Sequence, residues 1–108
     1  MFEWDEAKSR KNLRERGFDF EFAARIFDQD VLEQEDTRRD YGEQRIIAIG
    51  EIGGEVFIVV YTWRGTYRRI ISARRASRKE RDVYRQAFSQ RDSEEYWACE
   101  LEEGSGYH

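Results

Sequence analysis

The sequence contains no proline, and it has only one cysteine and one histidine among 108 residues. The lone cysteine, Cys99, excludes an internal disulfide framework, and a single histidine at the last position, His108, excludes the usual Cys/His zinc sites. No apolar run approaches the roughly 18 residues of a membrane span, and residues 1–6 lack the architecture of a signal peptide. Gly-x-Ser-x-Gly and glycine-rich phosphate loops are also missing. We therefore expect a cytoplasmic protein that uses no metal ion or cofactor and binds no membrane.

Charge is abundant, and it is distributed unevenly along the chain. Residues 64–85 carry nine basic and two acidic side chains, whereas residues 92–108 carry six acidic side chains and no lysine or arginine. Of the 19 basic residues, 16 are arginine, whose planar guanidinium suits bidentate contacts with phosphate. This pattern predicts a directed anion site. The alternative is a solvated surface of ion pairs that binds nothing.

The order of helical and strand patterns predicts an α+β fold, with two N-terminal helices and a C-terminal helix packed on a mainly antiparallel sheet. Asp5 and Asp19 are predicted helix N-caps, Gly17 ends the first helix, and Ser77 forms a capping box with Glu80. The predicted elements are a strand at 2–4, a helix at 6–16, a helix from 20, strands at 31–37, 44–52, 55–64 and 67–75, and a helix from 78 to about 90. We expect one domain over residues 1–90, followed by an acidic tail at 91–108 that either stays solvated or docks as a short helix.

Two glycine-containing turns set the expected register of the long strands. Gly53-Gly54 and Gly65-Thr66 suit two-residue hairpin turns, because glycine accepts the positive φ that such turns need. In that register the predicted cross-strand pairs are Glu43–Arg64, Arg45–Thr62, Ile47–Val60, Arg64–Tyr67, Thr62–Arg69 and Val60–Ile71. One face of the sheet therefore carries two adjacent polar rows, Glu43–Arg64–Tyr67 and Arg45–Thr62–Arg69.

The other strand residues divide between an apolar floor and the opposite face. The predicted floor below the polar rows consists of Ile47, Ile49, Ile58, Val60 and Ile71. The opposite face is expected to carry Ile46, Ala48, Phe57, Val59, Tyr61, Trp63 and Ile70, with Arg68 and Arg74 near its ends. Because strand side chains alternate, Arg69 and Arg74 share a face only if a bulge intervenes. We expect Trp63 to be a core residue, not a platform on which bases stack.

The polar rows have the chemistry required for RNA cleavage without a metal ion. The 2′-OH of the nucleotide is the nucleophile, and Glu43 would take its proton. Arg45, Arg64 and Arg69 would stabilise the charge of the phosphorane, and Tyr67 would stack on a base or donate a proton. The alternative is an ion-pair network at the end of the sheet that only keeps this edge soluble.

Four motifs occur in order along residues 2–88, and together they resemble the BrnT family. The motifs are Phe2-Glu3-Trp4-Asp5-x-x-Lys8-x-x-x-Asn12-Leu13 with Gly17, Phe20-x-x-Ala23-x-x-x-Phe27-Asp28, Gly42-Glu43-x-Arg45 with Gly50, and Arg69-Ile70-Ile71-Ser72-Ala73-Arg74-x-Ala76 with Glu80 and Tyr84. The resemblance implies a RelE-like fold and a ribonuclease toxin of a type II toxin–antitoxin system that cleaves RNA and inhibits translation. It also implies a BrnA-type antitoxin as partner, operator DNA bound only through the antitoxin, and a homodimer within the toxin–antitoxin complex.

The chain departs from the family pattern at the end of the first helix. The family commonly has Lys-His before the glycine, whereas this chain has Glu15-Arg16-Gly17. Arg16 can hold a phosphate but stays protonated, so it cannot be a general base. We expect Lys8 and Arg16 to act as supporting cations in catalysis. Four further arginines are expected to guide the RNA backbone: Arg74, Arg78, Arg81 and Arg85.

Two other functions are compatible with the sequence. The change at Arg16 is compatible with an inactive relative that binds the antitoxin and regulates the operator. Alternatively, the basic helix that contains Arg78 and Arg81 is an interface for an acidic protein. The acidic tail at 92–108 either competes with RNA for the basic segment or remains solvated.

Overall fold

The computed structural model describes the backbone of residues 1–91 and the side chains of residues 1–88. The predicted α+β class is confirmed. The elements are β1 (Phe2–Trp4), α1 (Glu6–Arg16), α2 (Phe20–Ala23), a 3₁₀ helix (Ala24–Asp28), β2 (Leu32–Glu35), β3 (Ile46–Ile52), β4 (Glu55–Arg64), β5 (Tyr67–Arg75) and α3 (Arg78–Arg91). The acidic tail at 92–108, with Cys99, lies outside the described residues.

The chain divides into two compact units, residues 1–76 and a second unit that begins at Ser77. The first unit contains the sheet and the N-terminal helices. In the second unit the predicted capping box opens α3: the Ser77 N–H donates to Glu80 Oε1 at 2.8 Å, and the Glu80 N–H donates to Ser77 Oγ at 3.2 Å. None of the helices within residues 1–91 combines the length and hydropathy needed to cross a membrane. The expected domain boundary near residue 90 stays a prediction.

Both N-terminal helices begin at the predicted N-caps, and the first helix also ends at the predicted residue. The Asp5 carboxylate accepts from the Ala7 N–H at 2.9 Å, and Gly17 ends α1 with φ of 88°. The Asp19 carboxylate caps α2 by accepting from the Phe22 N–H at 2.9 Å. The second helix does not continue as an α-helix, because the chain tightens into the 3₁₀ helix, which buries Ile26 completely.

The sheet has the strand order β1-β5-β4-β3-β2, and all neighbours are antiparallel except the parallel pair β1 and β5. The prediction of a mainly antiparallel sheet is thus confirmed. Both two-residue turns are also confirmed, because Ile52 pairs with Glu55 and Arg64 pairs with Tyr67. Gly53, which has φ of 58°, supplies the positive φ of the first turn.

A β-bulge interrupts the pairing of β4 with β5. Thr62 pairs with Arg69 as predicted, but Val60 pairs with Ser72, which leaves Ile71 without a partner in the ladder. The predicted pair Val60–Ile71 is therefore wrong, and Ser72 takes the place of Ile71 opposite Val60.

The extra residue also exchanges the faces of the side chains that follow it. Arg74 pairs with Ile58 and shares a face with Arg69, whereas Arg75 pairs with Phe57 on the opposite face. The placement of Arg74 on the face opposite Arg69 is therefore wrong.

One face of the sheet, called here the covered face, packs against α2 and the 3₁₀ helix. Its buried strand residues are Ala48, Phe57, Val59, Tyr61, Ile70 and Ala73, which meet Phe18, Phe20, Ala23, Ala24 and Ile26. Gly50 of β3 allows this close approach, because a Cβ atom there would lie 2.6 Å from Ile26 Cβ. The polar rows lie on the other face, called the polar face, where Ile58 and Val60 of the predicted floor are buried.

Trp63 is not a core residue. It pairs with Arg68 at the end of β4, and 45% of its surface is exposed. Alternation of side chains along β4 correctly places Trp63 on the covered face. It does not show how far the helices extend over that face, so it could not predict that Trp63 is exposed.

Candidate active site

Glu43 lies between two arginines, and the three residues form the acid–arginine cluster of the polar face. Arg45 Nε donates to Glu43 Oε2 at 3.4 Å, and Arg64 Nη2 lies 4.0 Å from Glu43 Oε1. The side chains of Glu43, Arg45 and Arg64 are 34%, 27% and 54% exposed. Since each guanidinium has five N–H donors and remains open to solvent, an anion can approach both arginines beside the carboxylate.

Residues of the loop between β2 and β3 hold Arg45 in place. The guanidinium carbon of Arg45 lies 4.0 Å from the centroid of the Tyr41 ring, and the Tyr41 hydroxyl donates to Asp36 Oδ2 at 3.2 Å. Arg38 donates to both oxygens of Asp36, at 2.8 and 2.7 Å, and the Asp36 N–H donates to the Arg45 carbonyl at 2.8 Å. This arrangement fixes the Arg45 side chain and its backbone together.

Asp36 is buried at 5% exposure, yet it remains ionised. The hydrogen bonds from the Arg38 guanidinium hold the pKa of the Asp36 carboxyl well below its usual value, against the opposing effect of burial. Sequence reasoning missed this residue, because an Asp-x-Arg spacing in a loop carries no specific signal. Its position next to a polar strand end is visible only in the fold.

Arg69 lies on the polar face but contacts a different carboxylate. Because β1 pairs with β5 in parallel, Glu3 is the neighbour of Arg69, and Arg69 Nη1 donates to Glu3 Oε2 at 3.0 Å. The predicted group of three arginines therefore divides into Arg45 and Arg64 around Glu43, and Arg69 beside Glu3. Thr62 lies between the two groups in the sheet, and its hydroxyl donates to the Gln44 carbonyl at 2.7 Å.

Two further predicted residues lie on the polar face along β5. Tyr67 pairs with Arg64 and is 44% exposed, so its ring is accessible next to the acid–arginine cluster. The bulge brings Ser72 and then Arg74 onto the same face, and both are exposed. A polar row thus continues from the turn of the hairpin along β5.

The predicted cations of α1 line a separate cleft against β5. The cleft has a volume of about 230 Å³ and is lined by Lys8, Lys11, Asn12, Glu15, Arg16, Phe20, Ile71 and Ser72. Arg16 Nη1 donates to Asn12 Oδ1 at 3.2 Å and to the Ala73 carbonyl at 2.9 Å, which fixes this guanidinium on the strand. Lys8 and Arg16 are therefore brought together, and Ser72 connects their cleft with the polar row.

The arginines of α3 belong to the second unit. Arg78 and Arg85 are exposed and Arg81 is half-buried, and their spacing of three and four residues lies along the helix. Their role in guiding RNA stays a prediction. Within residues 1–91 there is no group of three or more His, Cys, Asp or Glu side chains that could hold a metal ion.

The sequence was also compared with known proteins. No match is found among the curated proteins. Residues 4–80 match the family model described as the ribonuclease toxin, BrnT, of type II toxin–antitoxin systems. The matched segment extends from β1 into α3, and it includes the acid–arginine cluster, Arg69 and the cleft that contains Lys8 and Arg16. The chain therefore belongs to the BrnT family of ribonuclease toxins.

Proposed function

We propose that this toxin cleaves RNA internally and without a metal ion, at the acid–arginine cluster. The observation that carries the proposal is the convergence of Arg45 and Arg64 on Glu43 at a solvent-exposed strand end. A carboxylate between two guanidinium groups is suited to a phosphodiester, because the arginines attract the phosphate while the carboxylate accepts a proton. The cleft that contains Lys8 and Arg16 is proposed as a second contact for the RNA backbone.

The proposed reaction begins when Glu43 accepts the proton of the 2′-OH. The 2′ oxygen then attacks the adjacent phosphorus, and the bond from phosphorus to the 5′ oxygen breaks. The products are a 2′,3′-cyclic phosphate and a 5′-OH, whose proton comes from Tyr67 or from the protonated Glu43. Arg45 and Arg64 stabilise the additional negative charge of the phosphorane, which is usually the largest catalytic contribution.

The other cations are proposed to position the RNA strand. Arg69 holds a neighbouring phosphate while Glu3 fixes its side chain, and Arg74 extends the polar row along β5. Arg78, Arg81 and Arg85 are proposed to contact the backbone as well. Each phosphate that the protein neutralises on single-stranded RNA should lower log affinity by about 0.7 per unit of log salt concentration. A flat salt response would contradict these assignments.

The decisive experiment measures cleavage of a single-stranded RNA by purified variants. Glu43→Gln removes the base and should slow cleavage by about 10²–10⁴-fold. Arg64→Ala should slow it by about 10²–10³-fold, because a donor to the phosphorane is lost. Wild-type cleavage should persist in EDTA and give a 2′,3′-cyclic phosphate end.

A matched control is the ion pair between Arg10 and Glu6 on α1, which has the same 4.0 Å separation as Arg64 and Glu43 and is also exposed. Glu6→Gln and Arg10→Ala should cleave at the wild-type rate. Unchanged cleavage in Glu43→Gln and Arg64→Ala would contradict the proposed site, and loss of cleavage in EDTA would contradict the metal-independent mechanism.

In the cell, the proposed consequence is inhibition of translation in the cytoplasm, with neutralisation by a BrnA-type antitoxin. A type II toxin family implies an antitoxin partner. The BrnA type, a homodimer within the complex and operator binding through the antitoxin belong to the proposal. Expression of the chain alone should arrest growth, and co-expression of the antitoxin should restore it.

One observation favours a second candidate function, an inactive toxin that only binds its antitoxin. Arg16 is always protonated, and its guanidinium is held by Asn12 and the Ala73 carbonyl. Among the residues whose side chains the structure describes, no histidine lines the cleft. A wild-type chain that binds antitoxin with high affinity but cleaves no RNA would support this second function and overturn the first.

A further inference from the structure

The turn between β4 and β5 has an unusual combination of exposed aromatic rings and positive charge. Residues 63–69 include Arg64, Arg68 and Arg69 and no acidic residue. Trp63 and Tyr67 are 45% and 44% exposed, although aromatic side chains of this size are normally well buried. The two rings lie on opposite faces of the hairpin, because Tyr67 pairs with Arg64 and Trp63 pairs with Arg68.

The Trp63 ring is held by two neighbouring side chains, while nearly half of its surface stays exposed. The Tyr61 ring meets it at a centroid distance of 5.7 Å and an angle of 84°, and the Arg68 guanidinium carbon lies 4.8 Å from its centroid. Both supports are themselves fixed: Arg68 lies 4.4 Å over the Phe27 ring, and the Tyr61 hydroxyl donates to Glu33 Oε2 at 2.6 Å. The exposed surface of Trp63 is therefore pre-organised, which lowers the entropy cost of binding a flat ligand.

We propose that Trp63 is a stacking platform for an unpaired base of single-stranded RNA that crosses the turn from the acid–arginine cluster. The proposal rests on the proposed function, because it extends the same substrate to the other face of the hairpin. Continuity supports it, since Trp63 is adjacent to Arg64 and only Gly65 and Thr66 form the turn. Charge supports it too, since the Arg68 guanidinium lies against the Trp63 ring and Arg64, the next residue, has a half-exposed side chain.

Stacking on exposed aromatic side chains beside cationic groups is the usual way in which proteins bind single-stranded nucleic acid without reading its sequence. The platform therefore selects an RNA whose base is free to leave its neighbours. Duplex RNA does not meet this requirement, because its bases are stacked within the helix. The substrate class is thus single-stranded RNA with an unpaired base close to the cleaved phosphate.

The experiment measures affinity for a fully 2′-O-methylated single-stranded 12-mer of mixed sequence, which cannot be cleaved through the 2′-OH. Trp63→Ala should weaken binding by about 5–150-fold, which corresponds to about 1–3 kcal/mol for one stacked base. Trp63→Phe keeps a ring and should retain most of the affinity. Leu13→Ala, at a residue of α1 that is 49% exposed, is the matched control and should bind like the wild type.

The salt dependence separates stacking from charge. Trp63→Ala should leave the slope of log affinity against log salt unchanged, whereas Arg64→Ala should reduce its magnitude by about 0.7. Wild-type affinity in Trp63→Ala would overturn the proposal. If that variant instead lost binding to the antitoxin while keeping RNA affinity, the surface would belong to the protein partner, and the proposal would again be wrong.

A measurement on the unaltered chain covers the case in which Trp63→Ala does not fold. Protein labelled with 5-fluorotryptophan gives a separate ¹⁹F resonance for each tryptophan, and Trp63→Phe identifies the resonance of Trp63. Addition of the 12-mer should shift that resonance, and the absence of a shift would overturn the platform. Failure of the stacking proposal can be distinguished from failure of the proposed active site. Normal cleavage by Glu43→Gln would refute the active site, but it would not change the RNA affinity measured for the Trp63 variants.

Discussion

On the covered face of the sheet Arg68 lies over aromatic rings, whereas on the polar face Arg64 and Arg69 meet carboxylates. Arg68 lies 4.4 Å from the centroid of the Phe27 ring. Arg75, on the same face, lies 5.1 Å from the Phe18 centroid and also donates to Glu55 Oε2 at 2.6 Å. Arg69, in contrast, donates to Glu3 at 3.0 Å with about a third of its side chain exposed. A guanidinium over rings contributes to packing, while one beside an exposed carboxylate keeps donors near solvent.

The comparison shows that adjacent arginines of one strand have different roles. Arg68 and Arg69 are neighbours in sequence, but strand alternation turns one toward the rings and the other toward Glu3. The amino-acid composition places Arg68 and Arg69 in the same basic segment and does not distinguish their roles. Four predictions test whether the faces differ as described, starting with the largest expected effect.

Gly50→Ala should be the most destabilising of these changes. The new Cβ would lie 2.6 Å from Ile26 Cβ and 3.0 Å from Val31 Cγ1, so the 3₁₀ helix or β3 must move. We expect a loss of about 1–3 kcal/mol in the free energy of unfolding, measured by urea denaturation. Ser72→Ala, on the exposed part of the polar face, is the control and should change it by less than about 0.5 kcal/mol. Equal stability of the two variants would show that the covered face is not tightly packed at Gly50.

The adjacent arginines offer a direct comparison of the two faces. Arg68→Ala should lower the free energy of unfolding by about 1–2 kcal/mol, because the contacts with Phe27 and Trp63 are lost. Arg69→Ala removes a partly exposed ion pair and should cost less than about 1 kcal/mol. Denaturation of both variants in the same buffer measures the difference. The reverse order would contradict the structural role assigned to Arg68.

Asp36→Asn should make the stability of the protein less dependent on pH. The folded state holds the pKa of Asp36 well below its usual value, mainly through Arg38. The carboxylate therefore contributes stability that is present above its unfolded pKa of about 4 and is lost as pH falls toward the folded pKa. The difference in Tm between wild type and Asp36→Asn should be largest near pH 7 and should shrink below about pH 4. A difference that does not change with pH would contradict the assignment.

The smallest expected effect concerns Arg45, which contacts both a ring and a carboxylate. Tyr41→Leu removes the ring 4.0 Å from its guanidinium and should slow RNA cleavage about fivefold, the equivalent of roughly 1 kcal/mol. Tyr41→Phe keeps the ring, loses the hydrogen bond to Asp36, and should stay within about twofold of the wild-type rate. If Tyr41→Leu and Tyr41→Phe slowed RNA cleavage by the same factor, the Tyr41 hydroxyl and not its ring would support Arg45.

Much of the fold was predictable, because its signals are local. The caps at Asp5 and Asp19 and the turn at Gly53 each depend on a few residues that are adjacent in sequence. The identities of those residues are therefore enough to predict these features. The hairpin register then placed Glu43 near Arg64 and Thr62 opposite Arg69, as the structure has it. These steps required no knowledge of distant contacts.

The missed features depend on contacts between distant parts of the chain. Nothing in the dipeptide Ile70-Ile71 indicates that the second isoleucine leaves the ladder, and this error misplaced Arg74. The pairing of Glu3 with Arg69 requires knowing that β1 joins β5 in parallel, since a three-residue strand has no signal for its partner. The exposure of Trp63 depends on where the helical layer stops.

The bulge at Ile71 has a consequence for the length of β5. Tyr61 pairs with Ile70 and Val60 with Ser72, so a strand shortened by Ile71 alone would retain every one of these pairs in regular order. Ile71 therefore contributes no pair to the ladder between β4 and β5. Ile71 instead lines the cleft that contains Lys8 and Arg16. A substrate or partner that enters the cleft thus meets, at Ile71, a residue of β5 that lies outside the pairing with β4.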